Sequence, residues 1–153
     1  MSNTLHRAPR WQHRARVLEA LALLSLAWLA VRLLPFRVIA PWLGQLHPPH
    51  AVLPESIGTG ETQQAMAVKA ALRAAMRRLP WTSTCLMQSL AGRLMLGRRG
   101  VPSLVRLGVA RGNAPERAHA WLIASGIDVS GGESAADFTP ISDFMGGVRP
   151  PLR

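Results

Sequence analysis

With 153 residues, 48% of them hydrophobic, the chain is sized for one domain with a real core and is not a disordered polymer. Its single cysteine excludes an internal disulfide framework and a zinc site of several cysteines, and fits a reducing cytosol. Eighteen Lys and Arg against eight Asp and Glu, a formal charge of +10, point to a negatively charged partner: nucleic acid, a membrane surface or an acidic peptide. All but one of the cations are arginine, which suits fork-like binding of carboxylate or phosphate. The acids Glu116, Asp128, Glu133, Asp137 and Asp143 fall late, and residues 62 to 115 carry none. Five Trp, three Phe and no Tyr supply a stacking platform for single strands poorly, so nucleic acid is not expected as the partner.

The first segment, "RAPRWQHRARVLEALALLSLAWLAVRLLPF", opens on Arg7, Arg10, Arg14 and Arg16 and then turns apolar. As a helix, the charge-free run from Ala20 to Val31 reaches about 18 Å, short of the roughly 30 Å hydrocarbon core of a bilayer. A basic start and an apolar run mimic a secretory signal, but Arg32, Pro35 and Phe36 stand where a small-x-small cleavage site belongs. Residues 1–46 are therefore expected to be a basic, apolar helical segment that packs on the rest of the fold. A helix lying on a membrane surface is the alternative.

Residues 47–60, with three prolines and two glycines, read as a loop. His47 and His50 in it make too poor a ligand set for a metal, and neither metal nor cofactor is expected. "TQQAMAVKAALRAAMRRL" then predicts a helix, capped by Thr59 or Thr62 and stopped by Pro80. Lys69, Arg73 and Arg77 recur every four residues and form one basic stripe, either a solvated face or a surface for an acidic peptide.

"STCLMQSLAGRLMLGRRG" predicts a second helix, with Ser83 or Thr84 as N-cap, Leu86, Leu90 and Leu94 at helical spacing and Gly100 at the C-terminal end. "VPSLVRLGVA" alternates like a strand, "RGNAPER" is a loop, "AHAWLIA" a second strand, "SG" a tight turn and "IDVSG" a third strand. "ESAADFTPISDF" gives weak signals, and residues 146–153 read as a flexible tail. The core is expected over residues 61–145.

Cys85 falls in the first turn of its helix, where backbone N–H groups lack intrahelical partners and the helix dipole favours negative charge. Such a place lowers the pKa of a thiol, and the same N–H groups can stabilise an oxyanion during acyl transfer. A lone cysteine is also a common apolar filler, so a base is needed. His6, His13, His47 and His50 lie in the basic start or the Pro-rich loop; only His119 begins a predicted strand. Helix with Cys, strand, then strand with His is the order of a papain or transglutaminase core: an α+β fold with the Cys helix packed on a small antiparallel sheet, here preceded by N-terminal helices. A third group would orient the imidazole. If Ser125 and Gly126 form a two-residue turn, Ile123 faces Asp128 and His119 faces Gly132, leaving Asp128 about 13 Å along the strand from His119. A bulge at Gly131–Gly132 could turn Glu133 inward. Glu133 is thus preferred as the third member, with Asp128 as the alternative and Asp137 behind it.

"CLMQSLAGRLMLGRRGVPSLVRLGVARG" together with "AHAWLIASG" resembles the lasso-peptide leader peptidases, the transglutaminase-like B proteins of lasso peptide biosynthesis. That family has a Cys-Leu-x-Arg-Ser-Leu helix, a Gly-Val pair ending a strand, and Ala-His-Ala-Trp; the upstream "LLPF" and the ending "DFTPIS" are similar too. The resemblance runs from about Val17 to Ser142 and places the family's Cys at Cys85 and its His at His119. The family's acid, about a dozen residues after the His, falls on Gly131 here, two before Glu133, and the family's helix Arg is Gln88. The resemblance implies removal of the leader from a ribosomally made precursor, so that a separate ATP-dependent lasso cyclase can close the freed amine onto a side-chain carboxylate. It also implies a precursor-recognition protein, expected as a separate chain because the N-terminus shows no strand pattern. The resulting expectation is a cytoplasmic cysteine peptidase using Cys85, His119 and Glu133, with the oxyanion held by N–H groups near Cys85 and the leader by Lys69, Arg73 and Arg77. Two readings compete with it: acyl transfer to an amine at the same site, and a non-catalytic basic scaffold at a membrane surface.

Overall fold

The structure is a computed structural model that describes residues 9–55, 58–113 and 117–147. His6, Arg7, Glu116 and the tail from residue 148 onward lie outside the described residues. Among the described residues four α-helices and five strands form an α+β fold: α1 Arg10–Leu33, α2 Phe36–Leu43, β1 Gln45–His47, α3 Thr59–Met76, α4 Cys85–Arg98, β2 Ser103–Ala110, β3 Ala118–Ala124, β4 Ile127–Ser130 and β5 Phe138–Gly146, with a short 3₁₀ helix at Gly132–Asp137.

The sheet is antiparallel throughout, in the order β1-β5-β2-β3-β4. Strand alternation divides its side chains between two faces. One carries Val105, Ala120, Leu122, Ala124, Val129 and Phe144 into the main core, where α4 lies over β3 and β4. Gly92 makes that approach close: a Cβ there would lie 2.5 Å from the Leu122 side chain and 3.0 Å from Leu72 of α3. The opposite face carries Leu104, Arg106, Trp121 and Asp143, and the chain from His50 to Glu55 passes over it. Asp143 is fully buried there; it accepts from Arg106 Nε at 2.8 Å, from Arg106 Nη2 at 2.9 Å and from the Ala51 amide at 2.7 Å, so one carboxylate fastens that loop to the sheet.

α1 packs against α3 and α4 through Val17, Ala20, Leu24 and Ala27. Glu19 ties its middle to the end of α4, accepting from Arg99 at 2.6 Å and 3.1 Å, with Arg98 at 3.3 Å. The bond from Arg99 holds the Glu19 carboxyl below the usual carboxylate range against the opposing effect of its burial.

Several elements differ from the sequence-based expectation. α3 begins at Thr59 with Gly58 as its N-cap and no side-chain cap, so neither Thr59 nor Thr62 plays that part, and it ends at Met76, short of Pro80. Gln45–His47, read as the end of the helical segment and the start of a loop, forms the edge strand β1. "FTPISDFMG", whose signals are weak, is β5, inside the sheet between β1 and β2. Its Pro140 is tolerated because an extra residue, Ile141, interrupts the ladder: Leu107 pairs with Ser142 but Gly108 with Pro140.

Candidate active site

The site begins at the first residue of α4. Thr84 is the N-cap, with extended backbone, and its Oγ1 accepts from the Met87 amide at 3.4 Å. The first helical bond runs from the Gln88 amide to Thr84 O at 3.0 Å. The amides of Cys85 and Leu86 therefore have no acceptor inside the helix, which makes them the donors a developing oxyanion would meet. The Cys85 side chain is half-buried against the core. Gln88, where the resembling family has Arg, folds back to donate from Nε2 to Ser83 O at 3.0 Å and meets Ser83 Oγ at 3.1 Å, bracing the turn that leads into Cys85. Trp81 in that turn packs on Trp28 of α1, with ring centroids 5.5 Å apart.

Contacts along α4 fix where Cys85 sits on the sheet. Gly92, Ser89 and Cys85 share one helical face. Gly92 lies over Leu122 and Val129, and Ser89 Oγ is 3.5 Å from Ser130 Oγ. One more turn, about 5.4 Å, carries the row to Cys85 at the helix start, whereas His119, two residues before Trp121 on β3, shares Trp121's face of the sheet, opposite the face that α4 covers.

His119 is buried and pairs with Gly108 on the β2 side; on its other side β4 has already left the sheet, and Gly131 lies beside β3 there. Its ring stacks between Trp121, at 5.7 Å, and Phe138, at 4.8 Å, both tilted by only 24°. Nε2 lies 2.7 Å from Gly131 O. A carbonyl only accepts, so Nε2 is the donor, and in the neutral ring the acceptor lone pair is on Nδ1.

This bond goes to main chain and not to the expected Glu133 or Asp128. The tight turn does pair Ile123 with Asp128, but the extra residue is Val129, since Leu122 then faces Ser130. The strand ends there, Gly131 takes φ +77°, and the 3₁₀ helix starts at Gly132. Glu133, expected to hold the ring, is turned outward by that helix and gives its carboxylate to Arg73 at 2.9 Å, with 73% of its side chain exposed. Its own backbone amide and then Arg73 hold the Glu133 carboxyl below its ordinary range. The Asp128 side chain folds beside Gly132, where a Cβ would collide with it. Asp137 is exposed at the end of the 3₁₀ helix. The Gly131 carbonyl is missed by a search among acids because it is main chain. The available signal is Gly131 itself: any Cβ there would come within 2.6 Å of Ala120 O and 3.2 Å of His119 Nε2.

Lys69, Arg73 and Arg77 do form one face of α3, and with His13, Met66 and Ile127 they line a groove of about 610 Å³. Among the described residues no cluster of His, Cys, Asp and Glu could hold a metal ion.

A helix-start cysteine, an antiparallel sheet beside it and a histidine at a strand start agree with a family match: the model of the transglutaminase-like superfamily covers residues 30–143. The chain belongs to the transglutaminase-like superfamily. No curated protein and no solved structure matches it. The superfamily match takes in α2, both central helices and nearly the whole sheet, including Cys85 and His119, and leaves most of α1 outside.

Proposed function

We propose that this transglutaminase-like protein is a cysteine peptidase that removes the leader from a lasso precursor peptide. What supports the reading is a transglutaminase-like family match that takes in Cys85, at a helix start where its own amide and that of Leu86 lack an intrahelical acceptor, and His119, a buried imidazole whose Nε2 donates to Gly131 O. His119 is the base that takes the thiol proton of Cys85. The thiolate of Cys85 attacks the scissile carbonyl carbon, and the oxyanion settles on the amides of Cys85 and Leu86. Collapse breaks the C–N bond, and the imidazolium returns its proton to the leaving amine of the core peptide. Water, deprotonated by His119, then cleaves the thioester and restores the thiol. The Gly131 carbonyl positions the ring through these steps, in place of the carboxylate expected at Glu133 or Asp128.

An acidic stretch of leader is recognised by Lys69, Arg73 and Arg77. The exposed Arg73–Glu133 pair is weak enough to open for a competing carboxylate. A separate precursor-recognition protein delivers the leader, and an ATP-dependent lasso cyclase takes the freed amine.

The test is a mass-spectrometric cleavage assay with a lasso precursor, the recognition protein, and the Cys85→Ala and His119→Ala variants. Cleavage at the leader–core junction by the wild type and loss of at least about 10³-fold in both variants is the expected outcome. Full activity in either variant sinks the mechanism. A product in which an added amine replaces water would assign the same site to acyl transfer instead.

A further inference from the structure

α1 carries two apolar stripes. The inner one is the core stripe already described. The outer one consists of Trp11, Leu18, Leu26, Leu29 and Leu33, spaced by multiples of a helical turn and lying on the opposite side of the helix. These side chains are 46% to 70% exposed, and the stripe extends about 33 Å, the length of the helix between its ends. α2 continues it with exposed Phe36, Val38 and Trp42. A groove of about 380 Å³ between α1, α2 and α4 opens beside it, walled by Leu26, Leu33, Leu34, Trp42, Leu90 and Leu94. A soluble surface does not retain so long an apolar face without a use for it.

The charges around the stripe select its occupant. Arg10, Arg14, Arg32 and Arg37 are exposed along its borders. The one acid of α1, Glu19, is held by Arg99 and Arg98 on the core side, and α2 contains none. Two copies joined through this face would bring their arginines together in a chain already at +10. No helix among the described residues is long and apolar enough to cross a membrane. A flat apolar stripe bordered by arginines, with Trp11 and Trp42 toward its ends, matches a helix pair lying in the interface of an anionic bilayer.

We propose that the outer face of α1 and α2 docks the protein on the surface of a membrane containing anionic lipid. The leucines and tryptophans enter the headgroup boundary, the arginines meet the lipid phosphates, and the groove accommodates an acyl chain. The inference is independent of the peptidase reading, because it uses none of that site's residues.

The experiment is flotation of the full chain with vesicles of phosphatidylcholine alone and of phosphatidylcholine with one-third phosphatidylglycerol. The expected result is flotation with the anionic vesicles only, weakened at high salt. Leu29→Gln with Leu33→Gln should abolish it while leaving the melting temperature unchanged, since both leucines are exposed. Arg32→Gln and Arg37→Gln should each lower the partition coefficient about fivefold, the effect of one basic residue near an anionic surface. Failure of the folded wild type to float overturns the proposal, as does equal flotation with neutral vesicles. Equal weakening by Lys69→Gln and Arg77→Gln on α3 would move the contact to another face. A dimer in solution that disappears with the leucine substitutions, without vesicle binding, would make the stripe a protein interface and overturn the proposal too.

Discussion

Replacing Gly131 with alanine tests whether a main-chain carbonyl does the work usually given to a carboxylate. Two costs can be separated. The first is conformational: at φ +77° an L-residue costs about 1–2 kcal/mol. The second is local: the new Cβ comes within 2.6 Å of Ala120 O and 3.2 Å of His119 Nε2, so the turn must shift and the 2.7 Å bond to the ring is lost. A hydrogen bond to a group that becomes charged in the reaction contributes about 1.5–3 kcal/mol. That predicts a kcat/KM lower by roughly ten- to a hundredfold. Gly126→Ala is the matched control, because Gly126 has φ +70° with nothing within 4 Å of its Cβ and sits in the turn between the same two strands. It should lose about 1–2 kcal/mol of stability and keep its cleavage rate within about twofold. Thermal melts measure the first quantity and precursor cleavage the second. If both alanines reduce cleavage equally, or if Gly131→Ala cleaves like the wild type, the ring is not positioned by Gly131.

Other outcomes can be checked in the same preparations. Asp143→Ala strips Arg106 of its buried partner and frees the Ala51 amide, so it should cost about 3–5 kcal/mol and lower the melting temperature by on the order of 10 °C; a change below about 2 °C would mean that the loop is fastened otherwise. Glu19→Gln should cost about 2 kcal/mol at neutral pH. Because the folded Glu19 carboxyl is held below its ordinary value of 4.5, its contribution is full above that value and is lost as the pH falls through the lowered one. The stability difference between wild type and Glu19→Gln should therefore vanish in acid, and a difference that persists there would assign it to packing. Reversing Lys69, Arg73 and Arg77 to Glu should weaken precursor affinity at least tenfold, whereas Glu133→Gln, which frees Arg73, should tighten it about two- to fivefold, both read by binding titration at low salt.

Much of the molecule follows from signals that act within a few residues. The Thr84 cap places Cys85 at the start of α4, alternation identifies β2, β3 and β4, and the Ser125–Gly126 turn gives the Ile123–Asp128 register. Charge spacing alone puts Lys69, Arg73 and Arg77 on one face of α3. Leu18, Leu26, Leu29 and Leu33 are equally legible as apolar, yet only the packing of the inner stripe shows that they face outward. β5 is hidden in the sequence because its inward residues include Asp143, whose burial is tolerable only with Arg106, thirty-seven residues away, already beside it. The bond from His119 to Gly131 is hidden for a related reason. One extra residue, Val129, shifts β4 and sends Glu133 to Arg73. The group left against His119 is the Gly131 carbonyl, an atom every residue has, which only the path of the chain could aim at the ring.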